Sequence, residues 1–234
     1  EPLTKRFIST HRLSPGLPLI YYLDPGVPEP IRSALMQGAS WWDEAFKAAG
    51  HEAGFKIKLL PAGADPMDIR YNIIQWVHRR TRGWSYGMSV RDPRTGEILK
   101  GQVTLGSLRI RQDMLIAEGL LSPYTPSKPE QVAREPIQKM ALARIRQLAA
   151  HEIGHTLGLA HNYSASTQGR SSVMDYPHPL LKIQTGTISL TDAYAVGIGS
   201  WDKQAILYGY GHLQGIKTVE AVIKYSLIQK IPHL

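Results

Sequence analysis

The feature that most limits what this chain can be is the run His151-Glu152-Ile153-Gly154-His155-Thr156-Leu157-Gly158-Leu159-Ala160-His161. It closes a strongly helical stretch. Histidines at i and i+4 lie on one helix face about one turn apart, where two imidazoles can bind one ion. Glu152 then projects beside the ion and can hold an ion-bound water without taking a coordination site. If the helix continued, His161 would sit ~1000° around and ~15 Å beyond His151, out of reach of the same centre. Gly158 removes that difficulty, because a glycine adopts φ > 0 and ends a helix sharply. The chain can then return His161 as a third ligand. Three neutral nitrogens leave a fourth position for water, as in catalytic zinc sites, where its pKa falls to roughly 7. Five fixed residues at this spacing arise by chance in about 5 × 10⁻⁵ of chains of this composition. The competing readings are a helix with unrelated surface histidines and a glycine cap, and a metal held without turnover.

The chain has no cysteine. Thiolate ligands and disulfides are therefore excluded, and any metal falls to His, Asp or Glu. At 234 residues, with 43% hydrophobic and 20% charged residues, it has the material for one large globular domain that needs no staples. No apolar run is long enough to span a bilayer. The opening EPLTKRFIST lacks the apolar core of a signal peptide. A net charge of +8 permits attraction to acidic substrates, anionic surfaces or nucleic acid. The densest basic stretch, His78-Arg79-Arg80-Thr81-Arg82, reads as a solvated loop, and no nucleic-acid-binding motif accompanies it.

Hydrophobic patterning places the motif in an α+β chain. Leu17–Leu23 reads as a buried strand stopped by Asp24-Pro25-Gly26. From Pro30 to Ala49, Ile31, Leu35, Trp42, Ala45 and Phe46 recur at helical spacing, with Gly50 as the stop. Phe55–Leu60 and Ile69–Val77 read as strands. Ser85–Val90 and Ile98–Leu105 flank Asp92-Pro93-Arg94-Thr95-Gly96, which has the residues of a hairpin turn. Leu108–Leu121 predicts a helix, and Ser122–Pro129 reads as a proline-rich loop. A second helix is expected from about Glu130 to Leu157, with a break near Pro136. Residues 158–188 read as loop, Thr191–Tyr208 as a helix with Thr191 as N-cap, and Thr218–Gln229 as a last helix. The cleft is expected near residue 158, where the sheet half meets the loop-rich half.

Ser171-Ser172-Val173-Met174-Asp175-Tyr176-Pro177 follows His161 by a short loop. A methionine alone is usually core filler. Behind the extended histidine motif, Met174 matches a methionine turn, and here the chain resembles the metzincin clan of zinc endopeptidases. More narrowly, GWSYGMSVRDPRTGEILKG, GSLRIRQDMLIAEGLL and HEIGHTLGLAHNY resemble the large bacterial metzincin metalloproteases that carry flanking domains of unknown function.

The resemblance implies a metzincin-like, zincin-like α+β fold. It would have a mixed, mostly parallel, five-stranded twisted sheet with an antiparallel edge strand and an active-site helix. The upper subdomain would cover residues 1–158, and a smaller irregular lower one, residues 159–234, would end in helices. It implies one catalytic zinc on His151, His155 and His161, with Glu152 as general base. Met174 would form an apolar floor under the histidines. Tyr176 would act as a zinc ligand at rest and as a hydrogen-bond donor to the oxyanion, the alternative being a packed core tyrosine. Asp175 would hold the turn by a hydrogen bond. The edge strand would place Trp84, Tyr86 and Met88, with Pro177 from the turn, as substrate subsites, although such residues in strands are more often packing. It further implies a protein or peptide substrate, export from the cell, and flanking domains in a longer protein. No glycine-rich acidic loop supports calcium, and His178 reads as a surface or rim residue. Two other functions share the motif: a zinc amidohydrolase acting on a non-peptide amide, and a metal-stabilised binding module without turnover.

Overall fold

A computed structural model describes residues 7–81, 83–121 and 134–211, together with 221 and 224. Its frame is a mixed sheet in the order β1-β6-β4-β2-β3, with β5 added on β6. The strands are β1 (Thr10–His11), β2 (Leu19–Leu23), β3 (Phe55–Leu59), β4 (Asn72–Val77), β5 (Tyr86–Arg91) and β6 (Glu97–Gly106). β1, β2, β3, β4 and β6 are parallel to one another, and β5 alone is antiparallel, paired with β6. The sheet therefore has one strand more than expected. The addition is β1, two residues that pair Thr10 with Glu97 and His11 with Ile98, too short to show as a hydrophobic pattern.

The β5–β6 hairpin forms where the turn residues predict it. The Asp92 carboxylate accepts from the Arg94 N–H at 2.9 Å, and its carbonyl accepts from the Gly96 N–H at 2.8 Å. Gly96 takes φ 78°, a conformation that costs glycine nothing.

The expected helix over 30–49 is two helices, α1 (Ile31–Ser40) and α2 (Trp42–Ala48). The ladder tightens at the junction, where Trp41 N–H donates to Gly38 and Glu44 N–H donates to Trp41, each three residues back. Packing drives the break. Trp42 is fully buried and its indole N–H donates to the Ala150 carbonyl at 2.9 Å. Gly38 lies so close to the Arg146 backbone that no side chain fits there.

α3 (Leu108–Leu121) is followed by α4 (Arg134–Thr156). α4 runs unbroken through Pro136, because a proline in the first turn displaces no intrahelical donor. The expected helix start at Glu130 lies outside the described residues. α4 packs against α1, α3, β5 and β6, so Ile145, Leu148, Ala149 and Ile153 join Tyr21, Leu23, Leu35, Trp42, Phe46, Val103 and Leu105 in one core. Each fully buried large side chain of this kind contributes roughly 1.5–3 kcal/mol of transfer free energy.

Beyond α4 the chain is mostly irregular. It forms a 3-10 turn at Tyr163–Gln168, a small antiparallel hairpin of β7 (Lys182–Gln184) and β8 (Thr187–Ser189), and α5 (Ser200–Tyr210). The helix expected over 191–208 is thereby corrected. Thr191 is not its N-cap, and residues 191–199 are turns and bends. Gly197 takes φ 89°, which breaks any helix, and Gly199 caps α5 with its N–H donated to Asp202 at 2.8 Å. The last expected helix falls almost wholly outside the described residues. Among those residues, no helix is long and apolar enough to cross a membrane.

Candidate metal centre

The last turn of α4 carries His151 and His155 on one face, their ring centroids 4.8 Å apart. The helix stops in a Schellman turn. Leu159 N–H donates to Gly154 at 3.0 Å and Gly158 N–H to His155 at 3.1 Å. Gly158 occupies the left-handed position at φ 95°, and a Cβ there would run into the Ser9 carbonyl. Two independent constraints thus require glycine. The reversed chain brings the His161 ring 4.6 Å from His155 and 5.2 Å from His151. One ligand nitrogen from each of the three lies within 4.8 Å of the others.

These atoms fit a cation better than they fit one another. Nε2 of His151 is buried and has no hydrogen-bond partner among the described residues, a costly state for a lone pair. Nε2 of His155 and Nε2 of His161 face each other at 3.0 Å. An ion at the shared centre would satisfy all three. With Nε2 turned inward, each Nδ1–H is a donor, and each finds an oxygen. His151 donates to the Val173 carbonyl at 2.7 Å, His155 to the Leu159 carbonyl at 2.9 Å and His161 to the Tyr163 hydroxyl at 3.0 Å. Such outer partners fix ring orientation and raise ligand basicity. Burial lowers the pKa of His151 to about 3 and also lowers that of His161, so both stay neutral. A donor set of imidazoles without thiolates suits zinc.

Glu152 is 5% exposed. Burial raises its pKa to about 7 against the opposing pull of Arg144, the Gly87 N–H and Arg109. Desolvation outweighs two arginines here because neither makes a direct ion pair with it among the described residues. Gly87, on β5, lies so close to α4 that a Cβ would enter the Glu152 carbonyl oxygen and reach within 3.1 Å of the His155 side chain.

Met174 is fully buried and sits against Gly154 and Trp42, where no larger residue than glycine would fit on the helix. Its turn is tied on both sides. Ser172 Oγ accepts from Met174 N–H at 2.9 Å, and Asp202 of α5 accepts from Ser172 Oγ and Val173 N–H at 2.7 and 2.8 Å. Asp175 accepts from Ser166 Oγ at 2.5 Å and from Tyr176 N–H at 2.7 Å. The Tyr176 ring is 4.7 Å from His161 and 5.1 Å from His151, with its hydroxyl pKa raised by burial and by Glu152.

The other sequence-level candidates are not brought to this centre. Because Gly87 faces α4, strand alternation turns Tyr86 and Met88 to the opposite face of the sheet. Tyr86 accepts there from Arg79 at 3.3 Å, and Met88 and Trp84 are each 58% exposed. Pro177 and His178 line a cavity of about 380 Å³ beside the methionine turn, together with Gln147, Arg170 and Tyr194. Sequence reading missed Tyr163, Val173, Gly87 and Asp202. Only Tyr163 carried a local signal, its place two residues after the third histidine. The others act through backbone groups or across long separations.

Residues 134–230 match the model of a family described as Met-zincin. The match spans α4, the three histidines, the methionine turn and α5, and supports a likeness to the metzincin type of zinc metallopeptidase. No curated protein and no solved structure matches the chain.

Proposed function

We propose that this chain, a metzincin-type sequence over residues 134–230, is a zinc-dependent endopeptidase, with His151, His155 and His161 as ligands and Glu152 as general base. The observation that carries the reading is the convergence of three Nε2 atoms whose Nδ1–H groups are all committed to oxygens, beside a buried carboxylate on the same helix turn. Zinc bound there would supply Lewis acidity toward a peptide carbonyl and a water acidic enough to attack near neutral pH.

The chain's own groups do the rest. The Glu152 carboxylate holds the attacking water, accepts its proton and delivers that proton to the departing amine. The Tyr176 hydroxyl, beside His151 and His161, donates to the carbonyl oxygen as that atom gains negative charge. Met174 supplies the apolar support under the histidines. β5 has β6 on one side only among the described residues. Its free edge has N–H and C=O groups to which an extended peptide can add as a strand. Gly87 keeps that edge against Glu152, so a peptide paired there lies over the base. An open strand edge favours a peptide over a small non-peptide amide. Division at residue 158, export and flanking domains belong to the same reading.

The test is mass-spectrometric mapping of cuts in a proteome-derived peptide library. The wild-type chain should cut internal peptide bonds, a chelator should stop it, and Glu152→Gln should retain zinc while losing about 10³-fold or more in turnover. Wild-type cleavage by Glu152→Gln would overturn the assignment of the base. Cleavage of small amides but no peptide would favour an amidohydrolase.

A further inference from the structure

The three histidines differ in what holds them. His151 and His155 belong to α4, and their Nδ1–H groups donate to main-chain carbonyls, Val173 at 2.7 Å and Leu159 at 2.9 Å. Both acceptors are fixed by the fold, and no substitution removes them. His161 lies outside the helix, on the loop beyond Gly158, and its Nδ1 partner is a side chain, the Tyr163 hydroxyl at 3.0 Å.

We infer that Tyr163 is the positioning residue for the third metal ligand, an inference that rests on reading the histidine triplet as a metal site. An imidazole on a loop is free to turn about its side-chain torsions, and that freedom must be lost when the ring binds an ion. Tyr163 removes it in advance in two ways. Its oxygen accepts the Nδ1–H, which fixes the tautomer with Nε2 facing the centre and raises the basicity of that nitrogen. Its ring packs 5.2 Å from the His161 ring and stacks on Tyr176 at 5.9 Å with an interplanar angle of 18°.

The phenol is itself held in place. Tyr163 opens the 3-10 turn, whose cap residue Asn162 donates its N–H to the Met174 carbonyl at 2.9 Å. Ser164 Oγ donates to the Asn162 side chain at 2.6 Å. The loop bearing Tyr163 is thus tied to the turn that lies under the histidines. Tyr163 is also 61% exposed. Burial gives it no reason to be aromatic, and its hydroxyl can be deleted without opening a core cavity.

The experiment measures zinc affinity of the full chain by competition with a chromophoric chelator, and the visible absorption spectrum of the cobalt(II) form. Both are compared among wild type, Tyr163→Phe and Tyr71→Phe, the last removing a hydroxyl from a ring that packs edge-on against Tyr22. Tyr163→Phe should bind zinc about 10-fold more weakly, the low end expected for loss of an outer hydrogen bond because water can reach the site. Its cobalt bands should shift while the thermal midpoint of the metal-free chain stays at the wild-type value. Tyr71→Phe should match wild type throughout. A zinc affinity for Tyr163→Phe within twofold of wild type, with unshifted cobalt bands, would overturn the inference and leave the histidine centre standing. Failure of the wild-type chain to bind zinc at all would overturn the centre itself and the role of Tyr163 with it.

Discussion

Asp202 accepts from the backbone N–H of Val173 at 2.8 Å, and the carbonyl of that same residue accepts from His151 at 2.7 Å. A carboxylate in the first turn of α5 is therefore two hydrogen bonds from a candidate metal ligand. Three groups donate to it, Ser172 Oγ, Val173 N–H and Gly199 N–H, yet burial outweighs them and raises its pKa to about 6. Below about pH 6 the native state therefore favours the protonated form. The associated stability, about 3 kcal/mol, is complete below the unfolded pKa near 4 and is lost as pH rises through about 6. Asp202→Asn keeps the two backbone acceptor contacts and cannot titrate. The stability of wild type relative to Asp202→Asn should fall by that amount from pH 4 to pH 7, measured by urea denaturation at each pH. A flat difference would contradict the buried, titrating Asp202. Asp202→Ala leaves three donors unpaired and should cost about 3 kcal/mol or more at every pH.

His11 should give the opposite slope. It is 7% exposed, and its Nε2 lies 3.0 Å from the Tyr21 hydroxyl and 3.1 Å from the Thr156 carbonyl, at the end of α4. Burial depresses its pKa to about 4. The depressed value means that its contribution is complete above the unfolded pKa near 6.5 and is lost as pH falls through about 4, a change of about 3 kcal/mol. Wild type measured against His11→Gln should gain stability from pH 4 to pH 7 over the range in which it loses stability against Asp202→Asn. Parallel slopes for the two variants would refute one of the two assignments.

Gly87→Ala tests the contact between the strand edge and the general base. A methyl group cannot occupy the space taken by the Glu152 carbonyl oxygen, so β5 or α4 must shift. A displacement of about 1 Å at a reacting group costs on the order of 10²-fold in rate. The expected result is that loss in turnover with one zinc per chain retained. Wild-type turnover would show that the edge moves independently of Glu152.

What could be read from the sequence was what is local in it. The i, i+4 histidines, the glycine that ends their helix and the Asp-Pro-Arg-Thr-Gly hairpin depend on residues close in the chain. Spacing alone places them. The helix expected over 191–208 failed because the apolar residues Ala193, Tyr194, Ala195 and Val196 imitate a helical start, while Gly197 and Gly199 decide against it. Ala193 and Tyr194 are buried for another reason, packing on Ile137 and Met140 of α4. The break at Trp41 was illegible because its cause, Trp42 reaching Ala150, spans 108 residues. Asp202, His11 and Gly87 were missed for the same reason, since their partners lie on distant elements. The facing of Tyr86 and Met88 turns on a single residue of strand alternation. A single contact, Gly87 on α4, decides which face of β5 looks at the site.

X-ray absorption at the zinc edge of the purified, zinc-loaded chain tests the central claim most directly. The prediction is one zinc per chain with three imidazole nitrogens at about 2.0–2.1 Å, reduced to two or to no bound zinc in His155→Ala. A metal-free wild-type chain after zinc loading, or a wild-type zinc with fewer than three imidazoles, would contradict it.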